Sequence, residues 1–340
     1  VSAPGPPKRI NLALQGGGAH GAFTWGVLDR LLEDAALELV GVVGTSAGAM
    51  NAVVLAHGLV AGGPAEARRA LDRFWDAVAD AALWSPLKPS LWDRLVSPGD
   101  MDTSPGWLWA DALSRLFSPY QLNPLGFHPL RGILEREVDF AALRRQDRPR
   151  IFLCATNVRS GKIKVFTGSE LSVDAVLASA CLPFLYQAVE IDGEAYWDGG
   201  FMGNPPIFPL IYETDCEDVV IVQVNPIAVE EVPTTAAAIL DRMNEVAFNS
   251  SLMREMRAIA FVKKLLAEHR VPPGRYKDLK LHMIGAEAEM ARLGYSSKLN
   301  AERDFLLRLK ELGRARAEAF LAAHRDRLNV ESSLDITRFL

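Results

Sequence analysis

Residues 10–28 read INLALQGGGAHGAFTWGVL, and the hydrophobic period changes inside this stretch. Ile10, Leu12 and Leu14 alternate with Asn11 and Ala13, a period of two that predicts a strand. Beyond Gly16-Gly17-Gly18 the apolar positions Phe23, Val27, Leu28, Leu31 and Leu32 recur at helical spacing, so the glycines join a strand end to a helix start. Leu39 to Val43 forms a second apolar run closed by glycine, followed by a small-residue helix through Ala49, Met50, Val53, Val54 and Leu55. A β-α-β-α opening implies parallel strands joined by right-handed crossovers.

Further along, Ile151 to Thr156 and Lys162 to Phe166 flank Arg159-Ser160-Gly161, a hairpin signal. Tyr186 to Ile191 and Glu194 to Trp197 flank Asp192-Gly193 in the same way, and Ser172 caps a helix that must stop before Pro183. Val219 to Val224 is apolar almost throughout, as a central strand would be, and Leu281 to Ile284 adds one more. The expected fold is α/β, in three layers with a mainly parallel central sheet. Residues 84–130 collect Trp84, Trp92, Trp107, Trp109, Phe117, Tyr120 and Phe127 with weak periodicity, and are expected to form an insertion or lid. The expected organisation is a disordered lead-in at 1–9, a catalytic domain at 10–285 and a C-terminal helical extension at 286–340 packed on it.

At 340 residues and 49% hydrophobic side chains the chain can bury a sizeable core, and its net charge of −5 with no concentrated basic stretch argues against nucleic acid. Cys154, Cys181 and Cys216 are odd in number and form no C-x-x-C pair, so neither a disulfide framework nor a zinc site is expected. Asp100-Met101-Asp102 is not an EF-hand, lacking its glycine and its glutamate. No apolar run reaches the roughly 18 residues of a membrane span. The expected location is cytoplasmic, with peripheral contact at a membrane left open, as are monomer and homodimer.

The chemistry concentrates at Gly44-Thr45-Ser46-Ala47-Gly48, a G-x-S-x-G. A serine on a tight strand-to-helix turn needs small neighbours, hence Gly44 and Gly48, and the N-terminus of the following helix favours negative charge there. The glycine turn Gly16, Gly17, Gly18 ends the neighbouring strand, where free N–H groups would form an oxyanion hole for an ester attacked by Ser46. Its spacing fits neither G-x-G-x-x-G nor a P-loop.

Together, QGGGAHGAFTWGVL, GTSAGAM and Tyr196-Trp197-Asp198-Gly199-Gly200 resemble the patatin-like phospholipase family, particularly its bacterial members, over about residues 8–225. The resemblance implies a glycine-rich oxyanion loop, a Ser46 nucleophile and a Ser–Asp dyad with Asp198 as base, Gly199 and Gly200 completing its motif. Ser179 to Phe184 resembles the family's S-A-x-x-P-x-F block, whose residues are expected to pack. One departure is His20, where the family commonly carries arginine or lysine.

Serine needs an adjacent base, and two arrangements compete. In the dyad Asp198 takes the Ser46 proton; in a triad of α/β-hydrolase order Ser46, Asp198 and His282 would act together. The dyad is favoured, because His282 sits inside the apolar pattern Leu281, Met283, Ile284 and Ser46 follows only two strands. His57, about three turns from Ser46, and His20 at a helix start read as structural. The resemblance implies hydrolysis of acyl lipids (phospholipid, lysophospholipid or glyceride) without cofactor or metal. An acyltransferase with the same dyad and a non-catalytic lipid-binding module are the alternatives. Arg303, Arg308, Lys310, Arg314, Arg316 and Arg325 suit either a packed helix or one lying on an anionic surface, packing being favoured because acidic residues interrupt them.

Overall fold

The computed structural model describes residues 6–272 and 274–340. The expected lead-in falls partly on residues 1–5, which lie outside the described residues; Lys8 and Arg9 already belong to the first strand.

The opening unit runs β1 (Lys8–Leu14), α1 (Gly21–Leu31), β2 (Leu37–Thr45) and α2 (Ala47–Ala82). Helix α2 kinks at Gly62-Gly63, ahead of Pro64. Five short helices follow: α3 (Leu91–Val96), α4 (Pro105–Leu116), α5 (Pro119–Leu122), α6 (Pro129–Glu137) and α7 (Phe140–Leu143). Then come β3 (Arg150–Asn157), β4 (Ile163–Thr167), α8 (Val173–Ser179), β5 (Val189–Ile191), β6 (Glu194–Asp198), α9 (Phe208–Glu213) and β7 (Asp218–Gln223). The last part comprises α10 (Ala236–Ala267), β8 (Lys280–Gly285), α11 (Glu287–Met290) and α12 (Arg303–His324).

Residues 84–130, the stretch expected to form an insertion or lid, carry α3, α4 and α5, each opened by a serine: Ser90 with a full capping box, Ser104 and Ser118 with proline at the first helical position. These caps were legible, but α3 and α5, at six and four residues, are too short for a period to register.

Among the described residues one eight-stranded sheet forms, in which β3, β2, β1, β7 and β8 are parallel neighbours and β4, β5 and β6 pair antiparallel. It is a mainly parallel α/β sheet with helices on both faces. Strand β3 has an unusual neighbourhood. Its residues 152–154 pair with both β2 and β4, and Ala155 and Thr156 pair with both β4 and β6. Since a strand has two edges, β2 and β6 must share one of them, end to end, with β4 on the other. The C-terminal ends of β2 and β6 therefore meet: Thr45 pairs with Cys154 and Asp198 with the next residue, Ala155.

The C-terminal helix α12 lies on α1 through glycine. A Cβ on Gly26 would run into the Lys310 carbonyl, and one on Gly313 into the Phe23 carbonyl, so the two backbones touch. Four of the six cations singled out in and just after α12 are held by the domain: Arg303 by Asp76 and Asp80, Lys310 by Asp72 at 2.7 Å, Arg314 by Asp29 and Glu33, Arg325 by Asp34 at 2.7 Å. These four charges face acidic partners, which supports the favoured reading of this helix as packed on the domain.

In an isolated helix Gly26→Ala would stabilise by about 1 kcal/mol. Here the contact with α12 reverses the sign: the substitution should destabilise by roughly 1–3 kcal/mol, read as a lower calorimetric Tm.

Candidate active site

Ser46 sits between β2 and α2 with φ 55° and ψ −122°, a left-handed conformation costly for any residue but glycine. The turn closes by bonds from Ala49 N–H and Met50 N–H to the Ser46 carbonyl, at 2.9 and 3.1 Å. It also needs Gly44 and Gly48: a Cβ on Gly44 would strike the Gly48 carbonyl, and one on Gly48 the carbonyls of Leu14 and Gln15. The Ser46 amide donates to Ser179 Oγ at 2.9 Å, so the first residue of the S-A-x-x-P-x-F block does more than pack.

Asp198 ends β6 and is 1% exposed. Its carboxylate accepts a bond from Gly200 N–H at 2.7 Å and feels the Ser46 hydroxyl, while burial outweighs both and pushes its pKa up to about 7. Gly199 lies against the Cys154 carbonyl and Gly200 against the Phe248 ring, in each case too close for a side chain.

The glycine turn is held by amides from other elements. Gln15 Oε1 accepts from Val224 N–H and Asn225 N–H at 2.9 and 3.0 Å, and Asn225 Nδ2 donates to the Gly16 carbonyl at 2.7 Å. Gly16 N–H is already committed to Asn204 Oδ1 at 2.7 Å. This corrects the expectation that Gly16 contributes an oxyanion donor: Asn204 fills it, leaving Gly16 to position the loop. Among the described residues the N–H groups of Gly17 and Gly18 have no acceptor, and both glycines line a cavity with Ser46 and Asp198. Gly18 has φ +59°, and a Cβ there would also meet the Lys298 carbonyl.

Leu182, Asn204, Asn225, Phe248, Tyr295, Lys298 and Leu299 complete the cavity. Its volume is about 50 Å³, room for a few waters.

His20 is buried and its Nε2 lies 2.7 Å from Ser297 Oγ. That hydroxyl donates to the Gly294 carbonyl, so Nε2–H is the donor to it, and Nδ1 has no partner among the described residues. Burial, and after it the Lys298 charge, pull the His20 pKa down to about 3, so the ring is neutral at neutral pH. His57, in α2, accepts from Asp139 N–H at 3.3 Å and does not line the cavity.

His282 is removed from the site, which corrects the triad alternative. In register, Val42, Leu12, Val220 and His282 lie level across β2, β1, β7 and β8. His282 is thus three strands from Ser46, about 14 Å across, and four residues back, about 13 Å along the sheet. Its ring nitrogens are occupied by Asp218 at 3.1 Å and Ser333 at 2.9 Å.

A family model for patatin-like phospholipase matches residues 12–211, more than half of the chain, and the chain belongs to that family. Escherichia coli (strain K12) YjjU is 26% identical over 206 residues, covering 60% of this chain and 49% of that protein. The chain thus spans about half the length of the curated relative it matches. Among solved structures, VipD from Legionella pneumophila aligns over 94% of this chain and 67% of its own at 15% identity, with a TM-score of 0.41. A chain of the ExoU–SpcU complex from the type III secretion system of Pseudomonas aeruginosa aligns over 72% and 51% at 21% identity, with a TM-score of 0.35.

Asn204 and Asn225 had no signature in the sequence, and Ser179 was marked only as the first residue of a block expected to pack. A small polar residue at the end of an apolar helix is a weak signal for Ser179; the two asparagines follow strand or turn ends and offered none.

Burial of Asp198 has a stability consequence. A carboxyl whose pKa is raised on folding favours the folded state while protonated, and that contribution falls from about pH 4 and is gone above about pH 7. Asp198→Asn stays neutral, so its Tm should match wild type near pH 4 and exceed it at pH 8; equal Tm differences at both pH values would contradict this.

Proposed function

We propose that the protein is a lipid acyl hydrolase working through an acyl-enzyme on Ser46 with Asp198 as the base. The observation that carries this reading is the meeting of β2 and β6 on one edge of β3, which sets a strained Ser46 beside a buried carboxylate with free glycine amides in the same cavity. Ser46 Oγ attacks the ester carbonyl carbon while its proton passes to Asp198. The carbonyl oxygen gathers negative charge and is held by the N–H groups of Gly17 and Gly18. On collapse the C–O bond to the leaving alcohol breaks, and Asp198 returns the proton to that oxygen. Water then attacks the acyl-serine carbonyl carbon as Asp198 takes one of its protons; the acyl C–Oγ bond breaks, Asp198 returns that proton to Ser46 Oγ, and the carboxylic acid leaves. A base with pKa about 7 suits this exchange, being ionised enough to accept and acidic enough to return a proton.

Peripheral contact with a lipid surface belongs to the same reading. Trp109 is 70% exposed, Leu125 93% and Phe184 70%. Helix α4 approaches the cavity through Trp107, 6.1 Å from the Tyr295 ring, and α5 reaches the loop after Leu182 through Tyr120, whose hydroxyl accepts from Ala188 N–H at 3.2 Å. These two contacts put α4 beside a cavity-lining ring and α5 beside the loop after Leu182, and the exposed apolar side chains belong to these same segments and their neighbours. None of the helices in the described residues is long and apolar enough to cross a membrane.

On a short-chain p-nitrophenyl ester, Ser46→Ala and Asp198→Asn are each expected to lose on the order of 10³-fold or more in kcat, with His282→Ala retaining activity. A fluorophosphonate should label Ser46. The wild-type kcat/KM should rise with pH to a plateau through an apparent pKa of about 7, because only the ionised Asp198 accepts a proton. A rate independent of pH from 5 to 9 would remove Asp198 from the base role. In vesicle co-sedimentation, Trp109→Ser with Leu125→Ser should weaken binding by about tenfold or more.

A further inference from the structure

Lys298 comes from the turn Tyr295–Leu299, well outside the stretch matched by the family model, yet it lines the cavity of Ser46. Its placement is fixed from two sides. The Lys298 carbonyl packs on Gly18, and the ammonium donates to Asn225 Oδ1 at 3.0 Å. The same Asn225 holds the Gly16 carbonyl, so the cation is anchored to the glycine turn by one shared side chain.

The charge has no ionic partner of its own. Asn225 is neutral, the Tyr295 ring centroid lies 5.9 Å from Nζ, and among the described residues no carboxylate reaches salt-bridge distance from it. Glu245 and Asp241 act on it only from farther off, and burial lowers its pKa from the usual lysine value. His20 is neutral, which leaves Lys298 as the cation among the residues that line the cavity. A half-buried ammonium that has an amide oxygen but no carboxylate beside it lacks a counterion, and an anionic ligand would supply the missing partner. In a glycerophospholipid the phosphate lies only a few bonds from the scissile acyl ester, so a lipid bound at Ser46 carries its phosphate through the same small space.

We propose that Lys298 is the anion-binding group of this cavity, holding the phosphate oxygens of a phospholipid while Ser46 meets its acyl ester, and so favouring phosphate-bearing lipids over neutral glycerides. The proposal rests on the Ser46 reading for the location of the ester, but its test does not depend on turnover. Hexyl phosphate, hexanol and inorganic phosphate are titrated calorimetrically into Ser46→Ala protein. Hexyl phosphate should bind, and on adding Lys298→Met its affinity should fall on the order of tenfold or more, as for loss of a charge-assisted contact, with Lys298→Arg recovering most of it. Equal affinity with and without Lys298→Met would overturn the proposal. Inorganic phosphate binding as tightly as hexyl phosphate would make this a free-phosphate site and overturn the lipid assignment. A second measurement needs no substitution at 298. Reductive methylation of Ser46→Ala protein, mapped by mass spectrometry, should be slowed at Lys298 by hexyl phosphate and not by hexanol; no protection would likewise overturn it. Persistent esterase activity in Ser46→Ala would sink the nucleophile reading alone, leaving the binding result to stand or fall separately.

Discussion

Two strands sharing one edge of β3 is the constraint on which the site depends. A backbone edge offers one row of hydrogen-bonding groups, and β2 uses its first part while β6, running the opposite way, uses the next residues. Their C-terminal ends are forced together, and both chains must turn away at once. β2 turns through the strained Ser46 into α2, and β6 turns through Gly199 and Gly200. The strain at Ser46 is sustained because the surroundings over-determine it: Gly44 and Gly48 leave no room for another path, and Ser179 occupies its amide.

The glycine turn is the second consequence of crowding at the sheet's C-terminal end. A loop rich in glycine has many conformations to lose, so its single shape is secured by buried amides from elsewhere: Gln15 to the 224–225 backbone, Asn204 on Gly16 N–H, Asn225 on the Gly16 carbonyl. Every one of these contacts but Gln15's own position is distant in sequence. The last third of the chain closes the arrangement, since Ser297 takes the His20 ring and the Lys298 backbone covers Gly18. Residues 286–340 are thus wall as well as buttress, with α12 fastened to α1 by backbone contact and ion pairs.

Much of this was legible one residue at a time. The switch from period two to period 3.6 at Gly16 placed β1 and α1, the run Leu39 to Val43 placed β2, and the turn signals Arg159-Ser160-Gly161 and Asp192-Gly193 placed the β3–β4 and β5–β6 hairpins. The helices of residues 84–130 escaped: α3 and α5 are of fewer than two turns and leave no measurable period, and α4, twelve residues long, was missed although Ser104, like Ser90 and Ser118, advertised its start. Gly16 shows the limit for chemistry. A glycine turn announces free amides, but whether an amide is free depends on what packs against it, and Asn204 is nearly two hundred residues away.

The sequence by itself determined the α/β class, the strand-to-helix turn at Ser46 and the linear order of the glycine loop, serine and aspartate, because hydrophobic period, glycine placement and turn chemistry act over a few residues. Only the tertiary structure decided which groups meet. Strand order set His282 about three strands from Ser46 and bonded it to Asp218 and Ser333, while the shared β3 edge brought Asp198 to the serine. Burial then raised the Asp198 pKa, and a turn from beyond the matched domain put Lys298 in the cavity. Proximity and desolvation are properties of the packed chain as a whole, and no local pattern carries them.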